Sequence, residues 1–170
     1  ERKEQEDAYV RLAREALEYH VQTGERLALP DGLPQEFYEN KAGAFVSLKI
    51  DGSLRGCIGT IMPTQSCIGE EIIENAISAA VRDHRFSPVT EEELPLLTYS
   101  VDILGEPETI QSEDQLDVKR YGVIVQAGLK RGLLLPDLIG VDTPQEQVRI
   151  ALEKAGIPPY ANYSMERFEV

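Results

Sequence analysis

The stretch that decides the fold runs from residue 44 to residue 59 and reads "AFVSLKI", "DGS" and "LRGCIG" in succession. Its first part is rich in apolar and β-branched residues, which favour a strand. Asp51 and Gly52 then form a turn signal of the kind that joins two antiparallel strands. The stretch therefore predicts a β-hairpin and places "LRGCIG" on its second strand.

Three other segments have the spacing of helices. Apolar side chains recur every three or four positions through residues 9–21, where Gly24 is the predicted stop, and through residues 72–81. Residues 143–156 begin with a Thr–Pro pair and end in Gly156, which are strong start and stop signals. These segments predict helices on both sides of the hairpin in the sequence.

The boundaries of the middle helix are predicted from its capping residues. Thr64 or Ser66 is the expected N-cap, and the helix is expected to end in "RDHRF", residues 82–86. Cys67, close to the start, is interpreted as a packing residue. Three glutamates are interpreted as a solvated helix face: Glu70, Glu71 and Glu74.

Alternation and turn residues predict the remaining elements. Strands are expected at residues 97–104, at two places in residues 122–136 around a turn at 128–130, and at residues 166–170. Thr90 and Glu93 form a capping box for a short helical turn that Pro95 ends, and residues 105–120 are expected to be a polar connection.

The order of these elements indicates the fold class. Hairpins alternate with helices without the regular βαβ rhythm of a parallel sheet. The predicted fold is therefore α+β, with a largely antiparallel sheet flanked by helices. A length of 170 residues suits one domain, or one domain in two lobes.

Composition excludes several functional classes. The chain has 30 acidic and 17 basic residues and a net charge of −13, which argues against a nucleic-acid binder and against docking on an anionic membrane. No stretch approaches the ~20 apolar residues of a membrane span. The basic residues could still form a local patch, so a small anionic ligand is not excluded.

The cysteines and histidines predict neither a disulfide framework nor a metal site. The chain has two cysteines, Cys57 and Cys67, and two histidines, His20 and His84. Their spacing does not match that of metal ligands, so no metal is predicted. A reduced, cytoplasmic protein is the expectation.

Cys57 is the candidate reactive residue. On a regular strand, Arg55 and Cys57 share a face, so the guanidinium is expected to favour the thiolate. Gly56 and Gly59 carry no Cβ, so another backbone or a ligand can approach closely. Burial as a small apolar residue, with the glycines marking a bend, is the structural alternative.

A second candidate cluster lies in "RDHRF". Arg82, His84 and Arg85 suit the end of a helix, where the dipole favours cations. Asp83 and Arg85 are expected to pair, which leaves Phe86 as an apolar plug. The functional alternative is an anion-binding corner.

The residues around Cys57 resemble a known family. "LRGCIG" is similar to the signature of the AMMECR domain family, called AmmeMemoRadiSam system protein A in microbes. The resemblance continues in "GAFVSLKIDGSLRGCIGT", "ENAISAAVRDHRF", "TEEELP" and "GLLLP", in the family's order, over roughly residues 8–168. The family's Asp-x-Arg-Phe pattern matches Asp83, Arg85 and Phe86, and His84 falls at its open position.

The resemblance implies a soluble intracellular protein with a single AMMECR-like domain over residues 1–170. The implied fold has two unequal lobes, with the signature near a cleft. Some members carry a Memo-like domain ahead of this one, and the resemblance therefore allows this chain to be the C-terminal part of a longer protein. The implied partners are a Memo-like protein, which resembles extradiol dioxygenases, and a radical SAM protein. Iron or SAM chemistry would belong to those partners, and the cofactor of this chain is unknown.

Three functional hypotheses follow for the site. In the first, an enzyme uses Cys57 as nucleophile or redox thiol and Arg55 to hold an anionic substrate group, although the sequence offers no convincing general base. In the second, a non-catalytic module binds a small ligand or a partner segment. The substrate-binding residues would be Arg55, Gly56, Gly59, Asp83, Arg85 and Phe86. In the third, the motif only shapes a bend in the strand.

Overall fold

The computed structural model describes residues 7–170 and confirms an α+β fold with antiparallel sheets. The chain forms two compact units of unequal length. The first unit ends at Ile103, and the second covers Leu104–Val170. Each unit has its own sheet and its own apolar core.

The first unit combines a sheet with order β2-β1-β3 and two long helices. Its elements are α1 (Ala8–Thr23), α2 (Glu36–Glu39), β1 (Ala44–Ile50), β2 (Ser53–Gly59), α3 (Ile68–Val81), a 3₁₀ turn (Glu91–Leu96) and β3 (Leu97–Ile103). Gly24 ends α1 in the left-handed conformation, as predicted. The capping box of Thr90 and Glu93 is also confirmed, although the 3₁₀ turn continues past Pro95 to Leu96.

The predicted hairpin forms between β1 and β2. Asp51 and Gly52 have φ angles of 50° and 80°, as a two-residue primed turn requires. The register pairs Ser47 with Cys57 and Leu48 with Gly56 but then Lys49 with Leu54. Residue 55 is therefore an extra residue, and β2 carries a bulge there.

The two faces of this sheet have different environments. Ala44, Val46 and Leu48 of β1 are buried in one core cluster with residues of α1 and α3. The alternate residues of β1 point to the other face. Directly opposed partners share a face, so the register defines what we name the Cys57 face: Phe45, Ser47, Cys57, Gly59, Ser100 and Asp102.

Helix α3 is shorter than predicted at both ends. Cys67, not Thr64 or Ser66, is its N-cap residue, because the Thr64 hydroxyl donates to Glu71 instead. The helix ends at Val81, and the "RDHRF" segment follows as a turn closed by the Phe86 N–H on the Asp83 carbonyl, 3.0 Å apart. Cys67 is buried, as expected of a packing residue.

The second unit has a sheet with order β4-β7-β5-β6 and one helix. Its elements are β4 (Glu108–Ile110), a 3₁₀ turn (Glu113–Gln115), β5 (Gly122–Ala127), β6 (Lys130–Leu134), α4 (Pro144–Ala155) and β7 (Ser164–Phe168). Thr143 caps α4 and Gly156 ends it, as predicted. Residues 105–120, predicted as a polar connection, also contain the three-residue strand β4, which is too short to show an alternating pattern.

No helix among residues 7–170 is both long enough and apolar enough to cross a membrane.

Candidate functional site

Cys57 lies on edge strand β2 of the first unit. Its thiol is free and the residue is half-buried. The Sγ atom is 3.2 Å from the Ser47 hydroxyl on the paired strand. The thiol therefore shares the Cys57 face with a hydroxyl group that can donate or accept a hydrogen bond.

Asp83 and Arg85 hold the free edge of β2 at Cys57, and we name this pair the edge clamp. The Cys57 N–H donates to Asp83 Oδ2 at 3.0 Å, and Arg85 Nη2 donates to the Cys57 carbonyl at 3.3 Å. Arg85 also donates to Asp83 through Nε and Nη2, at 3.0 and 2.7 Å. The clamp thus satisfies the two backbone groups that a further strand would otherwise pair.

The edge clamp is also a strong charge pair. The Asp83 side chain is only 5% exposed, and hydrogen bonds from Arg85 hold its pKa well below the usual range of a carboxyl group. The backbone N–H groups of Cys57 and Arg85 lower this pKa further. Asp83 in turn raises the pKa of Arg85, and the nearby Cys57 adds to this effect. The arginine that faces Cys57 is therefore Arg85.

Arg55 does not take the place that the sequence predicted. The bulge at residue 55 interrupts the regular pairing from which the shared face of Arg55 and Cys57 was predicted. Arg55 instead donates to both carboxylate oxygens of Glu93, at 2.7 and 3.0 Å, and to the Pro88 carbonyl at 3.3 Å. This ion pair connects the bulge in β2 to the 3₁₀ turn that contains Glu93.

The two glycines of the motif leave room for the protein itself. A Cβ atom at Gly56 would overlap the backbone carbonyl of Ala79, so Gly56 lets β2 lie directly against α3. A Cβ atom at Gly59 would overlap the ring of Phe45. The sequence predicted that another backbone or a ligand approaches these glycines. The backbone of Ala79 does so at Gly56, and the Phe45 ring fills the space at Gly59.

Phe86 and His84 flank the clamp without entering the core. Phe86 is half-buried, and the Arg85 guanidinium carbon lies 5.4 Å from the centre of its ring. The interpretation of Phe86 as an apolar plug is thus replaced by a cation–π contact. His84 is exposed.

The interpretation of Glu71 as part of a solvated face was wrong. Glu71 is 0% exposed. Its carboxylate accepts hydrogen bonds from the Thr60 hydroxyl at 2.9 Å, from the Thr64 N–H and hydroxyl, both at 2.6 Å, and from the Gln65 N–H at 3.1 Å. Asn75, one turn along α3, donates to the Ala44 carbonyl and to Thr60. These buried polar groups fasten the segment that follows β2 to α3.

The structure therefore brings together part of the predicted set. Cys57, Asp83 and Arg85 form one cluster with Ser47, which the sequence did not single out, and Phe86 stacks beside it. Within the described part of the chain, no group of three or more His, Cys, Asp or Glu side chains is placed to hold a metal ion.

The Arg55–Glu93 pair makes stability depend on pH. Hydrogen bonds from Arg55 lower the pKa of Glu93 from 4.5 to about 2, with help from the Thr90 N–H. Because the folded pKa is depressed, the contribution is complete above the unfolded pKa and is lost as the pH falls through the folded pKa. When the pH falls from neutral to below about 2, the free energy of unfolding should fall by about 2 kcal/mol more in the wild type than in Glu93→Gln.

Urea unfolding at a series of pH values measures this difference. Glu92→Gln changes an exposed neighbour and is the matched control, which should follow the wild type. If Glu93→Gln and wild type lose stability in parallel on acidification, the ion pair contributes nothing.

Comparisons with known proteins agree with the fold and the motif. The AMMECR1 family model matches residues 10–170. Protein CA_C1420 of Clostridium acetobutylicum is 51% identical over 170 residues, which cover 99% of this chain but only 36% of that protein. A protein of Thermotoga maritima is 47% identical over 171 residues, which cover 96% of this chain and 98% of that protein.

A solved structure is similar over most of the chain. The crystal structure of uncharacterized protein PH0010 from Pyrococcus horikoshii matches with a TM-score of 0.87 and 35% identity. The match covers 95% of this chain and 86% of that chain. The family match spans both compact units. The chain belongs to the AMMECR1 family.

Proposed function

We propose that this chain is a ligand-binding module that holds a small molecule on the Cys57 face, with the thiol as a contact group. The observation that carries this proposal is the immobilised backbone of Cys57. The edge clamp holds its N–H and its carbonyl, while the residue as a whole is only half-buried. A binding site gains affinity when its contact groups are already fixed before the ligand arrives.

The groups next to the thiol also favour binding. Ser47 is directly opposed to Cys57 on one side and to Ser100 on the other, so three small polar side chains form a row across the sheet. Such neighbours lie about 5 Å apart, which suits a ligand with several polar atoms. Asp102 lies in the next row, and burial raises its pKa.

The same geometry gives less support to the enzyme hypothesis. A nucleophilic cysteine is activated by an adjacent base or by a strongly lowered pKa. The side-chain partner of Cys57 is the Ser47 hydroxyl, which is not a base at neutral pH. The clamp carboxylate of Asp83 is taken up by hydrogen bonds from Arg85 and from the backbone.

Native mass spectrometry tests the proposal. The purified chain is mixed with the low-molecular-mass fraction of a host cell extract, and a noncovalent adduct is expected. Ser100→Leu adds bulk on the Cys57 face at an exposed position, so it should reduce the adduct several-fold. Ser112→Leu, at an exposed position of the second unit, should leave the adduct unchanged.

Two results would oppose the proposal. An adduct that Ser100→Leu leaves unchanged would place binding elsewhere. An adduct that survives denaturation and is lost on Cys57→Ser would favour the nucleophile hypothesis instead.

A second candidate is a module that presents the Cys57 face to a partner protein. The observation in its favour is the length of CA_C1420, of which this chain spans only 36%. The Memo-like and radical SAM proteins implied by the resemblance are the partners to test. Calorimetric titration with each purified protein should show binding that Ser100→Leu weakens, and no heat with either protein would count against this candidate.

A further inference from the structure

We propose that Arg85 selects for an anionic group, of carboxylate or phosphate type, on a small molecule bound beside Cys57. This inference rests on the proposed function, because it names the chemistry of the ligand that the Cys57 face would hold. Its site consists of the Arg85 guanidinium, the Cys57 thiol and the Ser47 hydroxyl.

The guanidinium of Arg85 is fixed on one side and open on the other. Nε and Nη2 donate to Asp83, and Nη2 also donates to the Cys57 carbonyl. Nη1 has no hydrogen-bond partner within residues 7–170, and the side chain is 58% exposed. The remaining N–H donors of a planar guanidinium match the oxygens of a carboxylate or phosphate group.

The internal charge pair does not cancel this preference. Asp83 lies on the buried side of the guanidinium, and its side chain is only 5% exposed. A ligand that approaches from solvent therefore meets the cation first. The Phe86 ring, 5.4 Å from the guanidinium carbon, further restricts the arginine.

Three other charged side chains lie near the face: Arg55, Lys49 and Asp102. Arg55 is paired with Glu93 through two hydrogen bonds. Asp102 lies on β3, and β1 separates it from Cys57, so the two backbones are about 10 Å apart. The net charge of −13 repels anions at long range. Lys49, exposed and two positions from Ser47 on the same face, adds to the local attraction, and Arg85 is the cation that contacts Cys57 directly.

Two thiol reagents that differ in charge test the proposal. Iodoacetate carries a carboxylate and iodoacetamide is its neutral counterpart. Both react with the thiolate, so a change in the thiolate fraction of Cys57 affects both rates equally. The ratio of the two alkylation rates therefore reports the attraction of the anionic reagent. Peptide mass spectrometry separates Cys57 from the buried Cys67.

Arg85→Gln should lower the iodoacetate-to-iodoacetamide ratio at Cys57 by about fivefold, as expected for the loss of one nearby charge. Arg85→Lys should retain most of the ratio. Arg55→Gln removes the other arginine near the motif and should leave the ratio unchanged. In the wild type, inorganic phosphate should slow iodoacetate more than chloride does at equal ionic strength.

The outcomes separate the two proposals. An unchanged ratio in Arg85→Gln overturns the anion preference and leaves the ligand-binding function standing. If circular dichroism shows that Arg85→Gln does not fold, the phosphate competition decides, and equal effects of phosphate and chloride overturn the preference. If neither reagent alkylates Cys57 in the folded protein, the thiol is not accessible to small molecules, and the proposed function fails with it.

Discussion

Glu71→Ala is expected to lower the free energy of unfolding by about 4 kcal/mol, through lost hydrogen bonds and a cavity. The carboxylate of Glu71 is fully buried and accepts four hydrogen bonds, two from backbone N–H groups and two from hydroxyls. Alanine would leave these donors without an acceptor. Urea unfolding followed by circular dichroism measures the change.

Glu71→Gln should lower the free energy of unfolding by less, about 2 kcal/mol, because glutamine keeps one of the two acceptor oxygens. A glutamine oxygen can still accept from the N–H groups of Thr64 and Gln65. Its NH₂ group would then face the Thr60 hydroxyl, which already accepts from Asn75 and from the Ala44 N–H. The Thr60 hydroxyl would face a third donor and lose its own acceptor.

The neighbouring glutamate provides the matched control. Glu70 precedes Glu71 on α3 and forms a partly exposed ion pair with Arg26. Glu70→Ala should cost less than about 1 kcal/mol, as is usual for surface ion pairs. If Glu71→Ala costs no more than Glu70→Ala, the buried network does not stabilise this fold.

The position of Glu71 shows what sequence reasoning missed and which signal was present. Ile68, Ile72, Asn75 and Ala79 follow helical spacing, and Glu71 lies within the same stripe. All five are buried. A glutamate inside an apolar stripe is a sign of a buried polar network, but the groups that donate to Glu71 lie outside the helix. The sequence could therefore have indicated the burial of Glu71 and not its partners.

The hairpin and α4 were predicted well because their signals are local. The Asp51–Gly52 turn fixes the hairpin, and Thr143 and Gly156 fix the ends of α4 within the segment itself. The start of α3 was predicted less well, since the Thr64 hydroxyl donates to the side chain of Glu71 instead of capping the helix.

The sequence predicted several residues of the candidate site but not the contacts between them. Asp83 and Cys57 are 26 positions apart, and no local pattern indicates that the carboxylate meets that particular N–H. The role assigned to Arg55 needed a guanidinium free to meet the thiol, but Arg55 pairs with Glu93, 38 positions away. Arg85 was in the candidate set through the cluster and the resemblance, and the structure places it beside Cys57.

Glu71 and Gly56 support the same strand from different directions. The Glu71 network fixes the segment after β2, and Gly56 fixes the distance between β2 and α3. Cys57 lies between these two supports in the sequence. We therefore expect that the position of the thiol depends on α3 more than on the residues that contact the thiol itself.

Gly56→Ala tests this dependence and is expected to lower the free energy of unfolding by about 3 kcal/mol. The added methyl group would overlap the Ala79 carbonyl, which is held in the backbone of α3 and cannot rotate away. Either β2 or α3 has to shift, which strains the edge clamp at the adjacent Cys57.

Gly59→Ala should cost less, about 1 kcal/mol, because the overlapping Phe45 ring is a side chain that can change rotamer. Urea unfolding of both variants gives the comparison, and the alkylation rate of Cys57 in Gly56→Ala should differ from that of the wild type. If Gly56→Ala is as stable as Gly59→Ala and its thiol reacts as in the wild type, the contact with α3 does not position Cys57.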